Sequence, residues 1–87
     1  MSFEIFYDAQ PLDILKKLDK HFAKRIVDKL DSLLLPDNPV PHSAKAIVGG
    51  HGVFRLRVGD YRALYRVDYK MEKIIVFKID KRDAVYD

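Results

Sequence analysis

Two strand-length runs of alternating polarity, joined by a two-residue turn, dominate the C-terminal half of the chain. In VFRLRV, residues 53–58, Phe54, Leu56 and Val58 fall on one side and Val53, Arg55 and Arg57 on the other. Gly59-Asp60 supplies turn chemistry. In YRALYRVD, residues 61–68, Tyr61, Ala63, Tyr65 and Val67 share one face, and Arg62, Leu64 and Arg66 share the other. A period of two suits a half-buried strand and would scatter apolar groups around a helix. The segment is therefore a hairpin whose apolar face needs a cover. Lys70 to Glu72 make a second turn, and KIIVFKI, residues 73–79, is apolar on both faces, which predicts a central buried strand.

The cover comes from upstream. FEIFY, residues 3–7, reads as a strand. Pro11 suits the first turn of a short helix over 11–18 with Leu12, Leu15 and Leu18 on one side. From Asp19, a candidate N-cap, Phe22, Ile26, Leu30, Leu33 and Leu34 form one stripe at helical period, while Lys20, Lys24, Asp28, Asp31 and Ser32 face away. Pro36, Pro39 and Pro41 stop the helix and open a connecting loop over 36–51. The order is a strand, a two-helix pair, a three-stranded antiparallel meander and a short tail, DKRDAVYD. This is an α+β fold with the helices packed on one face of the sheet. The 87 residues leave room for one domain, spanning 1–87.

Several classes of chemistry are excluded or weakened. With no cysteine there is no disulfide or thiolate. The three histidines lie far apart and none pairs with another at metal-ligand spacing, so no metal and no cofactor is expected. Gly49-Gly50-His51-Gly52 lacks the lysine and the following helix of a phosphate-binding loop. His42 and His51 read as solvated loop residues, and no serine-histidine-aspartate signature is present. The N-terminal stretch has neither a basic region nor a long apolar run, and no segment approaches a membrane span. A cytoplasmic protein is the expectation.

Charge separates the two halves. Residues 1–42 carry six Lys/Arg against seven Asp/Glu, whereas residues 43–87 carry ten against six. Within 45–66, Lys45, Arg55, Arg57, Arg62 and Arg66 stand against Asp60 alone. If Leu56 and Tyr65 face the helices, four guanidiniums face out on two adjacent strands. Like charges directly opposed on a sheet are unfavourable, so the cluster predicts an anion partner, and guanidinium forks suit phosphate. A solvated basic face is the alternative. Lys81, Arg82 and Tyr86 follow the last strand and could rim such a site, although a terminal aromatic more often packs.

FRLRVGDYRALYRV followed by KRDAVY resembles the C-terminal half of RelE-type toxins of the RelE/ParE superfamily, and the order of elements resembles theirs over nearly the whole chain. The resemblance implies the toxin of a type II toxin–antitoxin system, an endoribonuclease that cuts mRNA, typically on the ribosome. It implies a cognate antitoxin and a hetero-oligomer with it. It places Arg55 and Arg57 at the two basic positions of the second site strand, Arg62 in the YR step, Lys81 and Arg82 after the last strand, and Tyr86 as the near-terminal tyrosine. Arg66 and Lys45 join Arg55 and Arg57 as phosphate-binding candidates.

The implied reaction is metal-free attack of a 2′-hydroxyl on the adjacent phosphate with departure of the 5′-oxygen. Arg55, Arg57 and Arg62 would stabilise the phosphorane. Tyr86 or Lys81 would have to serve proton transfer, and Arg82 completes the implied catalytic set. The chain departs from some relatives in having Arg55 and Arg57 where they carry lysines, and from many in having Asp80-Lys81-Arg82 where they carry Gly-His-Arg. Arginine is a poor general base. Two alternatives stay open: a ParE-like inhibitor of DNA gyrase, and a non-enzymatic RNA-binding homologue that has lost cleavage.

Overall fold

The alternating segments form the hairpin their pattern demands, β3 (Val53–Val58) and β4 (Tyr61–Asp68), and the apolar run is β5 (Lys73–Lys81). Upstream lie β1 (Glu4–Tyr7), α1 (Ala9–Lys17), α2 (Lys20–Asp31), a 3₁₀ turn at Ser32–Leu34 and the short β2 (Ala44–Ala46). This is a computed structural model, and it describes residues 3–34, 39–40, 44–46 and 52–81. The five strands make one sheet in the order β1-β5-β4-β3-β2.

The meander and the side of helix packing agree with the sequence reading. Leu56, Val58, Ala63, Tyr65, Val67, Ile74, Val76 and Ile79 from the sheet meet Ile26, Leu30 and Leu33 from the helical side. Full burial of each larger aliphatic contributes roughly 1.5–3 kcal/mol. The β3–β4 turn needs only two residues because Gly59 has φ +59° while Asp60 stays negative, the φ pattern of a II′ turn. Asp19 caps α2 by accepting from the His21 amide at 2.8 Å.

Two features of the sheet were not in the sequence reading. β1 runs parallel to β5, with Phe6 opposite Ile75 and Tyr7 opposite Val76, so the sheet is mixed. The meander leaves the far edge of β5 open, and the FEIFY segment fills it. Where β1 ends, Gln10 continues the edge: its amide donates to the Ile79 carbonyl at 3.0 Å and accepts from the Ile79 amide at 2.9 Å. On the other edge, β2 pairs antiparallel with β3 inside the segment read as a loop. A run of three residues is too short to carry a strand signal of its own.

Phe22 departs from the expected stripe. It is 47% exposed, as the first turn of α2 overhangs the end of the β3–β4 hairpin, and Leu12 is 44% exposed on α1. The Pro-rich connector is tied down instead by Pro39, whose carbonyl accepts from the buried Tyr65 hydroxyl at 2.6 Å. No helix among the described residues is long and apolar enough to cross a membrane.

Candidate functional site

The side of the sheet turned away from the helices carries the cations, and its layout follows from strand register. In one cross-strand row stand Arg57, Arg62 and Asp80. In the next stand Lys45, Arg55, Leu64 and Lys78. In the third stand Val53, Arg66, Ile75 and Phe6. Register thus brings Lys45, Arg55, Arg57, Arg62 and Arg66 onto one surface: the four arginines as the alternation in sequence predicts, and Lys45 through the pairing of β2 with β3.

Exposure differs sharply within this group. Arg57, Arg66 and Lys45 are exposed and Arg55 is half-buried. Arg62 is only 3% exposed, which corrects the expectation of an open outward position. Its flanking cross-strand residues are Arg57 on β3 and Asp80 on β5. A buried guanidinium requires a charge or hydrogen-bonding complement, and Asp80 is the carboxylate in its cross-strand row. Asp80 also meets Lys78 at 3.4 Å. Alternation told which way Arg62 points; it could not tell how deep its neighbours make it.

Lys81 is placed elsewhere. It pairs with Tyr61, on the helix-facing side at the end of the sheet. There it lines a cleft of about 260 Å³ with Phe22, Arg25, Ile26, Val58, Gly59, Asp60 and Tyr61. The structure therefore does not bring Lys81 onto the surface of the arginines. Arg82 and Tyr86 lie outside the described residues, so the proton-transfer side of the expected site has no geometry here.

A residue missed in the sequence completes the outer face. β5 carries one extra residue opposite β4: Leu64 faces Lys78, yet Tyr65 faces Val76. Val76 and Ile79 are both buried, so Phe77 and Lys78 both turn outward. Such a bulge re-aims side chains. The Arg66 guanidinium lies over the Phe77 ring, 5.0 Å from its centroid.

Comparison with known proteins places the chain in a class. The model of the ParE toxin of type II toxin–antitoxin systems, parDE, matches residues 5–86, and the chain belongs to that family. It is similar to the RelE1 protein of Methanocaldococcus jannaschii, at 29% identity over 89 residues, covering 99% of this chain and 97% of that one. Its fold matches that of the archaeal RelE–RelB complex of Pyrococcus horikoshii with a TM-score of 0.81 and 27% identity, covering 98% of this chain and 100% of that one. Free RelE of E. coli shares the fold with a TM-score of 0.79 at 23% identity, over 97% and 87% of the two chains. The chain is a RelE/ParE superfamily toxin of a type II toxin–antitoxin system.

Proposed function

We propose that this toxin arrests translation by cutting mRNA, with the outer sheet face as its RNA surface. The observation that supports this best is the convergence of Lys45, Arg55, Arg57, Arg62 and Arg66 on one face with Asp80 as the acidic residue among those rows. Polyanion binding offsets the mutual repulsion that such a cluster otherwise imposes. RNA strand scission needs a nucleophilic 2′-hydroxyl aligned with its phosphate, charge stabilisation of the phosphorane, a base and an acid. Arg57 and Arg55 grip the scissile phosphate. Arg62, held between strands, acts as a fixed positive charge whose field is little screened by water. Proton transfer falls to Tyr86 or Lys81. Of these Lys81 would have to reach around the sheet end. Alignment of the message by the ribosome would supply several kcal/mol that the chain's own groups need not.

The same face, left uncovered, would be lethal to the host, so we assign it a cognate antitoxin. The archaeal structural relative is a RelE–RelB complex, and an acidic or amphipathic segment fits the cationic surface. The hetero-oligomer with antitoxin would be the resting form.

The test is controlled expression of the isolated chain followed by mapping of message ends. The expected result is immediate loss of protein synthesis with cuts inside translated frames. Intact messages with loss of DNA supercoiling would overturn the RNA reading in favour of gyrase. Arrested translation with intact messages would overturn cleavage and leave an RNA-binding homologue.

A further inference from the structure

We infer that Phe77 and Arg66 form a stacking platform for one unpaired nucleobase of the RNA, beside the phosphate-gripping arginines. This rests on the reading of the outer face as an RNA surface and adds a base-contacting position to it. The β5 bulge turns Phe77 outward, onto the side away from the helices. There the half-buried ring sits beside the half-buried Ile75 and Leu64. Arg66 covers the ring at 5.0 Å from its centroid and is itself exposed.

A guanidinium is planar, and a nucleobase stacks on such a plane as it does on an aromatic ring. The layers would run Phe77, then Arg66, then base. Arg66 lies two residues along β4 from Leu64, which faces Arg55, so the platform stands about 7 Å along the strand from the row holding Arg55. A strand whose phosphates lie along Arg57 and Arg55 would bring a neighbouring base over Arg66. The charge toward β2 and β3 favours nucleic acid: Lys45, Arg55 and Arg57 are cationic there, whereas Asp68 and Glu4, at the far end of the same face, stand in register with Lys73.

A second aromatic, Phe6, provides an internal control. It is 43% exposed on the same face and is covered by the Lys73 ammonium at 5.3 Å. An ammonium has no plane on which a base can stack. Phe6 should therefore contribute much less.

The experiment measures binding of a short single-stranded RNA, 2′-O-methylated so that the attacking hydroxyl is blocked, to the purified full chain. One abasic position is scanned along the oligonucleotide. In the parent, one abasic position should weaken binding about tenfold, the scale of one base–aromatic stack. Phe77→Leu and Arg66→Lys should each weaken binding of the intact oligonucleotide by a similar factor. Both should also become indifferent to that abasic position, and Phe6→Leu should behave as the parent. Thermal melts confirm that each variant is folded, and Arg66→Lys keeps the charge should Phe77→Leu fail to fold. Variants that bind as tightly as the parent and still sense the abasic position would overturn the platform while leaving the RNA surface intact. So would unchanged RNA binding with loss of a co-expressed protein partner, which would make the ring a protein contact. A parent with no affinity for the oligonucleotide at low salt would instead overturn the RNA reading of the face, and the platform with it.

Discussion

Leu56 and Arg57 are adjacent on β3, yet they live in different solvents. Leu56 is wholly buried against the helical side, whereas Arg57 is exposed and faces a second arginine across the strand pair. Every strand of the hairpin repeats this contrast. The inner side is built of Leu, Val, Tyr and Ala packed on Ile26, Leu30 and Leu33, where area removed from water stabilises the fold. The outer side collects cations that lower stability by repulsion. One sheet thus separates what holds the protein together from the surface proposed to bind RNA, and mutations on the two faces should report on different observables.

The sharpest way to break that contrast is a pair of neighbouring truncations. Leu56→Ala should cost about 3–4 kcal/mol, because a fully buried leucine leaves a cavity its close-packed neighbours only partly fill. In a domain this small that is a large share of the total stability. Arg57→Ala should leave the melting temperature unchanged or slightly raised, since it removes a like-charge neighbour of Arg62, while message cleavage falls by roughly 10²-fold. Chemical denaturation and single-turnover cleavage on programmed ribosomes, run on both variants, check this. Equal destabilisation by the two would contradict the division of labour.

Arg62 sharpens the comparison because it belongs to both sides. It faces outward by register but is buried. Arg62→Ala should therefore lose roughly 10²–10³-fold in cleavage, and also about 1–3 kcal/mol of stability, through lost packing of its buried stem. Arg62→Lys should recover part of the stability and little of the activity, since an ammonium cannot fork onto phosphate. The same melts and rates decide it. Full stability of Arg62→Ala would show that the burial is idle.

Much of this layout was legible in the sequence, for one physical reason: side-chain period is local. Alternation in 53–68 fixed which residues point to which side, so Leu56, Tyr65 and the four arginines were sorted correctly, whereas Lys45 joins them through β2, inside the segment read as a loop. Helical spacing placed Ile26, Leu30 and Leu33 in the core, and Asp19 at the N-cap. What escaped depends on partners distant in sequence. The depth of Arg62 is not a property of its own strand's alternation. The parallel docking of β1 depends on an edge left open some seventy residues later, as the contact between Gln10 and Ile79 illustrates. The bulge at Phe77 is a mismatch between two strands and exists in neither alone.

Tyr65 tests the inner side more gently. Its ring is wholly buried and its hydroxyl donates to the Pro39 carbonyl at 2.6 Å, the contact that anchors the Pro-rich connector. Burial pushes the phenol well above its ordinary range, so it stays protonated and donating. Tyr65→Phe keeps the packing and leaves a buried carbonyl unpaired. The expected cost is about 1–2 kcal/mol, with cleavage unchanged at temperatures where the variant is folded. Equilibrium denaturation alongside the cleavage assay measures both. A larger loss of activity than of stability would place the connector in the site.

Tyr7, at the end of β1, should give the smallest effect and the opposite sign. Its hydroxyl is buried and makes no hydrogen bond, so Tyr7→Phe removes an unsatisfied polar atom while keeping the ring against the core. At neutral pH the variant should be as stable as the parent or more stable by up to about 1 kcal/mol. The pH dependence gives a second reading. Burial, aided by the nearby Asp31 carboxylate, pushes the phenol up to about 12. The unfolded chain releases that proton near pH 10, so between about pH 10 and 12 the folded state holds a proton the unfolded state has lost. Stability must then fall as pH rises through that window. Phenylalanine has no proton to release, so Tyr7→Phe should flatten this part of the alkaline limb. Tyr65, shifted in the same direction, leaves its own share in both proteins. Denaturant midpoints of parent and variant from pH 8 to 12 should coincide in shape below pH 10 and diverge above it. Parallel curves across the whole range would show that the Tyr7 hydroxyl is solvated in the folded protein.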